Sequence, residues 1–208
     1  MYEIIYTIAI FSILAYMFYS WYNPKLLYVR SRVDNKTYVV RDSVDKQQAA
    51  DLLATVDKKL QKVVDRMVQK YGTSNESVNL LVKRFKNHEI RESLPKSGQT
   101  SYSLNKGEKI VLCLRARNKG QNLTDVNTIT FVALHELAHV MTRSVGHTKE
   151  FWNNFKYLLR HSIKNGVYSY QKFSDNPKKY CGMTITDTPY TPGKDDEKPE
   201  KNETKSCY

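Results

Sequence analysis

The stretch TITFVALHELAHVMTRS, residues 128–144, constrains this chain more than any other. Val126, Ile129, Val132, Ala133, Leu134, Leu137 and Val140 wind almost all the way round a helical cylinder, and a helix apolar on all sides is buried. Thr124 or Asp125 can cap its first turn. Into this helix the sequence sets His135, Glu136 and His139. Residues four apart stand one above the other on the same helix face. Polar groups on a buried helix need partners, and a metal ion would satisfy these. H-E-x-x-H places two imidazoles on one Zn²⁺, each nitrogen about 2.0–2.1 Å from the ion. Glu136 adjoins the first of them and is the candidate general base, then acid. Zinc lowers the pKa of a bound water to about 7, so the pattern predicts peptide-bond hydrolysis without a covalent intermediate. The blander reading of the same residues is a helix with two half-buried histidines and a solvated glutamate.

Catalytic zinc has three protein ligands and one open position. The chain has 5 His. His147 is the candidate third ligand: the helix is expected to end near Ser144, and a short turn through Gly146 would bring His147 back to the metal. It stands eight residues after His139, against six in the extended metzincin pattern. His161, in an expected helix over 148–164, is the next candidate, although a helix-surface role suits it better. His88 lies in the polar stretch KRFKNHEIRE and reads as solvated.

Further motifs occur in order around this centre: Leu104-Asn105, Gly107, Ile110, Leu112 and Leu114-Arg115 before the helix, and Gly146-His147 with Phe151-Trp152 after it. Over residues 100–160 the chain resembles the WLM family of zinc metallopeptidases, which is related to the SprT and Spartan proteases. Two departures stand out. The link from His139 to His147 is two residues longer than is usual, and Gly146 replaces a proline. The resemblance implies a compact α+β, zincin-like metallopeptidase domain with a small antiparallel sheet. It also implies Zn²⁺ on His135, His139 and His147, Glu136 as the catalytic residue, and protein substrates. Some members cut proteins crosslinked to DNA.

Residues 4–22, IIYTIAIFSILAYMFYSWY, carry no charge. As a helix they would rise about 28 Å, close to the ~30 Å hydrocarbon core of a bilayer. Tyr19, Trp21 and Tyr22 suit the interfacial aromatic belt. Glu3 stands where a signal peptide would be basic, and no small-residue cleavage site follows. The expectation is one transmembrane helix, with residues 1–23 as anchor. A cleaved leader and a secreted enzyme form the rival reading. Lys25, Arg30 and Arg32 follow the run, so the positive-inside rule keeps the remainder in the cytosol. Cys113, Cys181 and Cys207 are few and lack C-x-x-C spacing, which agrees with a reducing compartment, and Cys113 reads as core. The sequons at Asn35, Asn75, Asn122 and Asn202 read as incidental; glycans on them would reverse the topology.

Between anchor and tail lies one metallopeptidase domain, 24–192. It is expected to hold a hairpin over 26–41, helices over 43–71 and 75–86, strands over 100–104 and 109–115, the H-E-x-x-H helix and the helix 148–164. The aromatics between 166 and 192, Tyr168, Tyr170, Phe173, Tyr180 and Tyr190, read as a segment that wraps the core or lines a substrate cleft, and wrapping is the blander account because aromatics usually serve packing. Residues 193–208 lack apolar periodicity and read as a disordered tail. The chain carries +12; residues 1–22 and 193–208 carry −1 each, which leaves +14 between them. Such a domain attracts anionic partners. Lys83, Arg84 and Lys86 form one cluster, and Lys106, Lys109, Arg115, Arg117 and Lys119 another. DNA and anionic lipid fit them equally well. The alternative to an enzyme is a membrane-tethered structural or nucleic-acid-binding protein that keeps the peptidase fold without turnover.

Overall fold

The computed structural model describes residues 2–22, 25–94, 100–117 and 121–196, with the side chains of 5–19 in the first of these. The predicted hairpin forms from β1 (Leu26–Arg30) and β2 (Thr37–Arg41), antiparallel, with Leu27 opposite Val40. Helix α2 (Lys46–Tyr71) follows and buries the stripe Leu53, Val56, Leu60, Val63, Val64 and Met67. Its spacing puts these residues on one face, and the chain leaves the helix at Gly72 with φ 65°. Helix α3 (Glu76–Phe85) starts where the Asn75 side chain accepts a hydrogen bond from Val78 N–H, as an N-cap should.

Strand β3 (Glu89–Glu92) then enters the sheet, and β4 (Tyr102–Leu104) and β5 (Lys109–Leu112) complete it. The order is β1-β2-β3-β5-β4. The pairs β2–β3 and β3–β5 are parallel, so the sheet is mixed, not antiparallel as expected. The reason is β3. It returns to the sheet after two helices, as a parallel crossover requires, but its four residues EIRE carry no apolar alternation. Ile90 is buried, and so is Glu92, which pairs with Arg115 at 2.8 Å and accepts a hydrogen bond from Arg41 N–H.

Helix α4 (Val126–Met141) lies against β4 and β5 and against α2 and α3. Asp125 caps it, accepting from Thr128 N–H at 2.9 Å. It ends at Met141, a turn earlier than expected. Helix α5 (Lys149–Lys164) begins at the N-cap Thr148 and packs on α4. The aromatic segment does wrap the core: Tyr168, Phe173, Tyr180 and Tyr190 are buried. It also forms a hairpin absent from the sequence reading, β6 (Lys178–Tyr180) with β7 (Met183–Ile185).

Three expectations change. Cys113 and Cys181 form a disulfide across 68 residues of chain, so the cysteines no longer argue for a reducing compartment. Residues 193–196 of the expected tail are docked on α5, with Asp196 bonded to Arg160 at 2.9 Å and to Lys164 at 3.0 Å; residues 197–208 lie outside the described residues. The expected transmembrane helix falls on α1 (Tyr2–Tyr22). Among the described residues, no helix is long and apolar enough to cross a membrane. Those of α1 with described side chains nonetheless expose Ile5, Ile8, Ile10, Phe11, Ile13, Leu14, Met17 and Phe18.

Candidate active site

Helix α4 carries His135 and His139 one turn apart on one face, as the spacing requires. The connection to α5 brings His147 back to them. His147 Nε2 lies 3.1 Å from His135 Nε2, and one nitrogen from each of the three rings lies within 4.8 Å of the others. Adjacent corners of a zinc tetrahedron with ~2.05 Å bonds are ~3.3 Å apart. Despite the longer link from His139, the chain reaches this spacing through an exposed turn at Val145 and Gly146, where Gly146 has φ +83°.

Helix α5 supplies the wall behind the rings. Phe151 touches all three imidazoles, with ring centroids 4.9 Å from His135, 4.2 Å from His139 and 4.7 Å from His147. Phe155 meets His135 at 5.2 Å, and Trp152 meets His147 at 5.6 Å. Burial, followed by the neighbouring His139 and His147, drives the His135 pKa down to about 3. Burial, then His147 and Lys106, drives His139 down to about 4. Both rings are thus neutral at physiological pH, the form in which imidazole donates a lone pair to a metal. The donor set fits a divalent transition ion such as zinc, for which imidazole is a preferred ligand.

Glu136 is 4% exposed. Burial pushes its pKa up to about 8, against the opposing effect of a backbone hydrogen bond at Ser103. A carboxyl so placed takes up and gives back a proton near neutral pH. It opens with the three histidines into a cleft of about 1110 Å³, whose other walls include β4, Lys106, Trp152 and the β6–β7 hairpin.

The other histidines are elsewhere. His161 is buried, its Nε2 2.8 Å from Tyr71 Oη on α2. His88 is not solvated: its Nε2 lies 2.6 Å from Asp57 and its ring stacks on Phe85 at 3.7 Å. The basic clusters are partly internal. Arg84 donates to the carbonyls of Val140 and Thr142 at 2.9 and 2.8 Å, and Arg115 is buried between Glu92 and Asp45. Lys119 lies outside the described residues. Phe155 was missed in the sequence, although it follows Phe151 by one helical turn and could have been found by that spacing. Tyr180, expected to wrap the core or line a cleft, does both, and it reaches the site on a hairpin that has no local signal in the sequence.

A family model, the WLM domain, matches residues 34–207. The chain belongs to the WLM family. An uncharacterized protein of Acanthamoeba polyphaga mimivirus is 34% identical to this WLM protein over 161 residues, 76% of this chain and 81% of the viral one. An uncharacterized protein of Invertebrate iridescent virus 6 is 40% identical over 85 residues, 40% of this chain and 46% of its own length. Among solved structures, Wss1 from Saccharomyces cerevisiae matches with 21% identity and a TM-score of 0.44, over 59% of this chain and 84% of that one.

Proposed function

We propose that this WLM protein is a zinc-dependent endopeptidase attached to a membrane through its N-terminal helix. The observation that carries the enzymatic part is the convergence of His135, His139 and His147 beside a buried Glu136, inside a cleft that can admit a peptide. The three imidazoles would hold the ion, and Phe151 packs against all three rings. Zinc, when bound, would polarise the scissile carbonyl and acidify a water. Glu136 accepts a proton from the attacking water and later delivers it to the departing amine nitrogen, as the new carbon–oxygen bond replaces the carbon–nitrogen bond. The cation would also favour ionisation of Glu136 relative to the metal-free protein, leaving the carboxylate ready to act as base. Proteins are the substrate class that the family resemblance suggests. Its extension to proteins held on nucleic acid draws support from the family, some members of which cut proteins crosslinked to DNA, and from the domain's charge of +14.

The full-length chain and Glu136→Gln, both loaded with zinc, should differ in hydrolysis of an unfolded protein substrate by about 10²–10⁴-fold, with zinc affinity retained. A Glu136→Gln variant as active as the wild type would overturn the mechanism.

Membrane attachment is the second part of the reading. Its support is α1: an uncharged run of which Phe11, at 73% exposure, and the isoleucines and methionine around it are covered by nothing among the described residues. Apolar side chains on every face of a helix call for an apolar medium.

A further inference from the structure

The chain runs from His139 to His147 through a connection that leaves α4 at Met141 and ends in an exposed turn, yet it delivers the third imidazole to 3.1 Å from His135. We propose that Lys106, in the turn between β4 and β5, is a positioning residue for His147. Its ammonium fixes the carbonyls of this connection and thereby sets the affinity of the histidine triad for a divalent ion. The inference rests on the zinc reading above.

Lys106 Nζ donates to Ser144 O at 2.7 Å and Arg143 O at 3.0 Å, with Thr142 O at 3.5 Å. These carbonyls lie three to five residues before His147. Thr142 is the C-cap of α4, and Arg143 and Ser144 follow it in the connection, just past a helix C-terminus, where a cation is favoured. Arg84 answers the carbonyls of Val140 and Thr142, further back; Lys106 reaches the two beyond. Glu150 takes the opposite side. It accepts from Arg143 N–H at 3.0 Å, Ser144 N–H at 3.2 Å and Ser144 Oγ at 2.7 Å. Residues 143 and 144 are thus held by their carbonyls on one side and by their amides on the other.

The base of the clamp is rigid. Asn105 and Lys106 both adopt left-handed backbone, φ 49° and 57°, and Gly107 has φ 113°. A Cβ on Gly107 would come within 2.8 Å of Val140, so the turn's backbone rests directly on α4, one residue past His139. Lys106 is therefore fixed relative to the first two imidazoles and holds the segment that presents the third.

The test titrates the metal-free full-length chain with zinc against a chromophoric chelator and records near-UV circular dichroism of the same samples. Lys106→Met should weaken zinc binding about 10–100-fold, the range typical for partners that orient metal ligands, while the metal-free variant stays folded. Lys106→Gln, with a neutral amide donor, should lose less, and Lys106→Arg should restore most of the affinity. Unchanged zinc affinity in Lys106→Met would overturn the inference. So would metal-free Lys106→Met and Lys106→Gln that are both unfolded, because the lysine would then serve the fold and not the triad. A wild-type chain that takes up no zinc would instead overturn the zinc reading itself, and the inference with it.

Discussion

Two buried carboxylates in this chain are held in opposite states by their surroundings. Glu136 has burial acting almost alone, which pushes its pKa up to about 8. Asp57 is buried too, and desolvation acts on it in the same direction, but the hydrogen bond and charge of His88 at 2.6 Å and of Lys36 at 3.2 Å outweigh it. The Asp57 pKa therefore lies below the ordinary 3.8. A depressed carboxylate stabilises the fold at every pH above the unfolded value, and that contribution is lost as pH falls through the folded one. Urea unfolding at pH 7 and pH 3 should show the wild type losing stability across this window. Asp57→Asn should be weaker at pH 7 by about 2 kcal/mol and should fall less on acidification. Parallel losses in the two proteins would contradict the assignment. The triad was legible in the sequence because helical spacing and the following turn are local. The Asp57–His88 pair was not, because 31 residues separate its members and KRFKNHEIRE has the composition of a solvated surface.

At the scale of elements, most helices announced themselves. α2, α3, α4 and α5 were read within a few residues, α2 and α4 from their apolar residues and α4 also from a cap at Thr124 or Asp125, of which Asp125 is the one used. What escaped was set by contacts distant in sequence. β3 is a strand because β2 and β5 receive it on both sides, not because EIRE favours one. The β6–β7 hairpin turns at Cys181, where φ is +48°, and Gly182, and the disulfide ties that turn to the residue after β5. Closing a loop of 68 residues restricts the unfolded chain by about 4 kcal/mol in the chain-entropy account. Reduction, or Cys113→Ala with Cys181→Ala, should lower stability by about 2–4 kcal/mol, and thiol counting under denaturing, non-reducing conditions should find one free cysteine of 3. Three free thiols in protein purified without reductant would contradict the bridge. The hairpin walls the cleft, so this element joins stability to the site.

For the whole molecule, the domain and its first helix pose separate questions. The domain is a mixed sheet with α2 and α4 packed on it, and it directs one polar cluster into one cleft. Helix α1 adds an apolar surface that the domain leaves uncovered. If it sits in a bilayer, the full-length chain made in cells should sediment with membranes and resist alkaline carbonate, whereas recovery in the carbonate supernatant would contradict embedding. The charge of the domain was legible as a total but not as a surface, because Arg84, Lys106 and Arg115 are engaged internally. The central claim is that the triad holds a metal, and it is tested most directly by elemental analysis. The full-length chain, purified in detergent and dialysed against metal-free buffer, is measured for zinc per polypeptide. The account predicts about one zinc per chain. No zinc, with none regained when it is added to the folded protein, would contradict it and leave His135, Glu136, His139 and His147 as the polar face of a helix and its neighbouring loop.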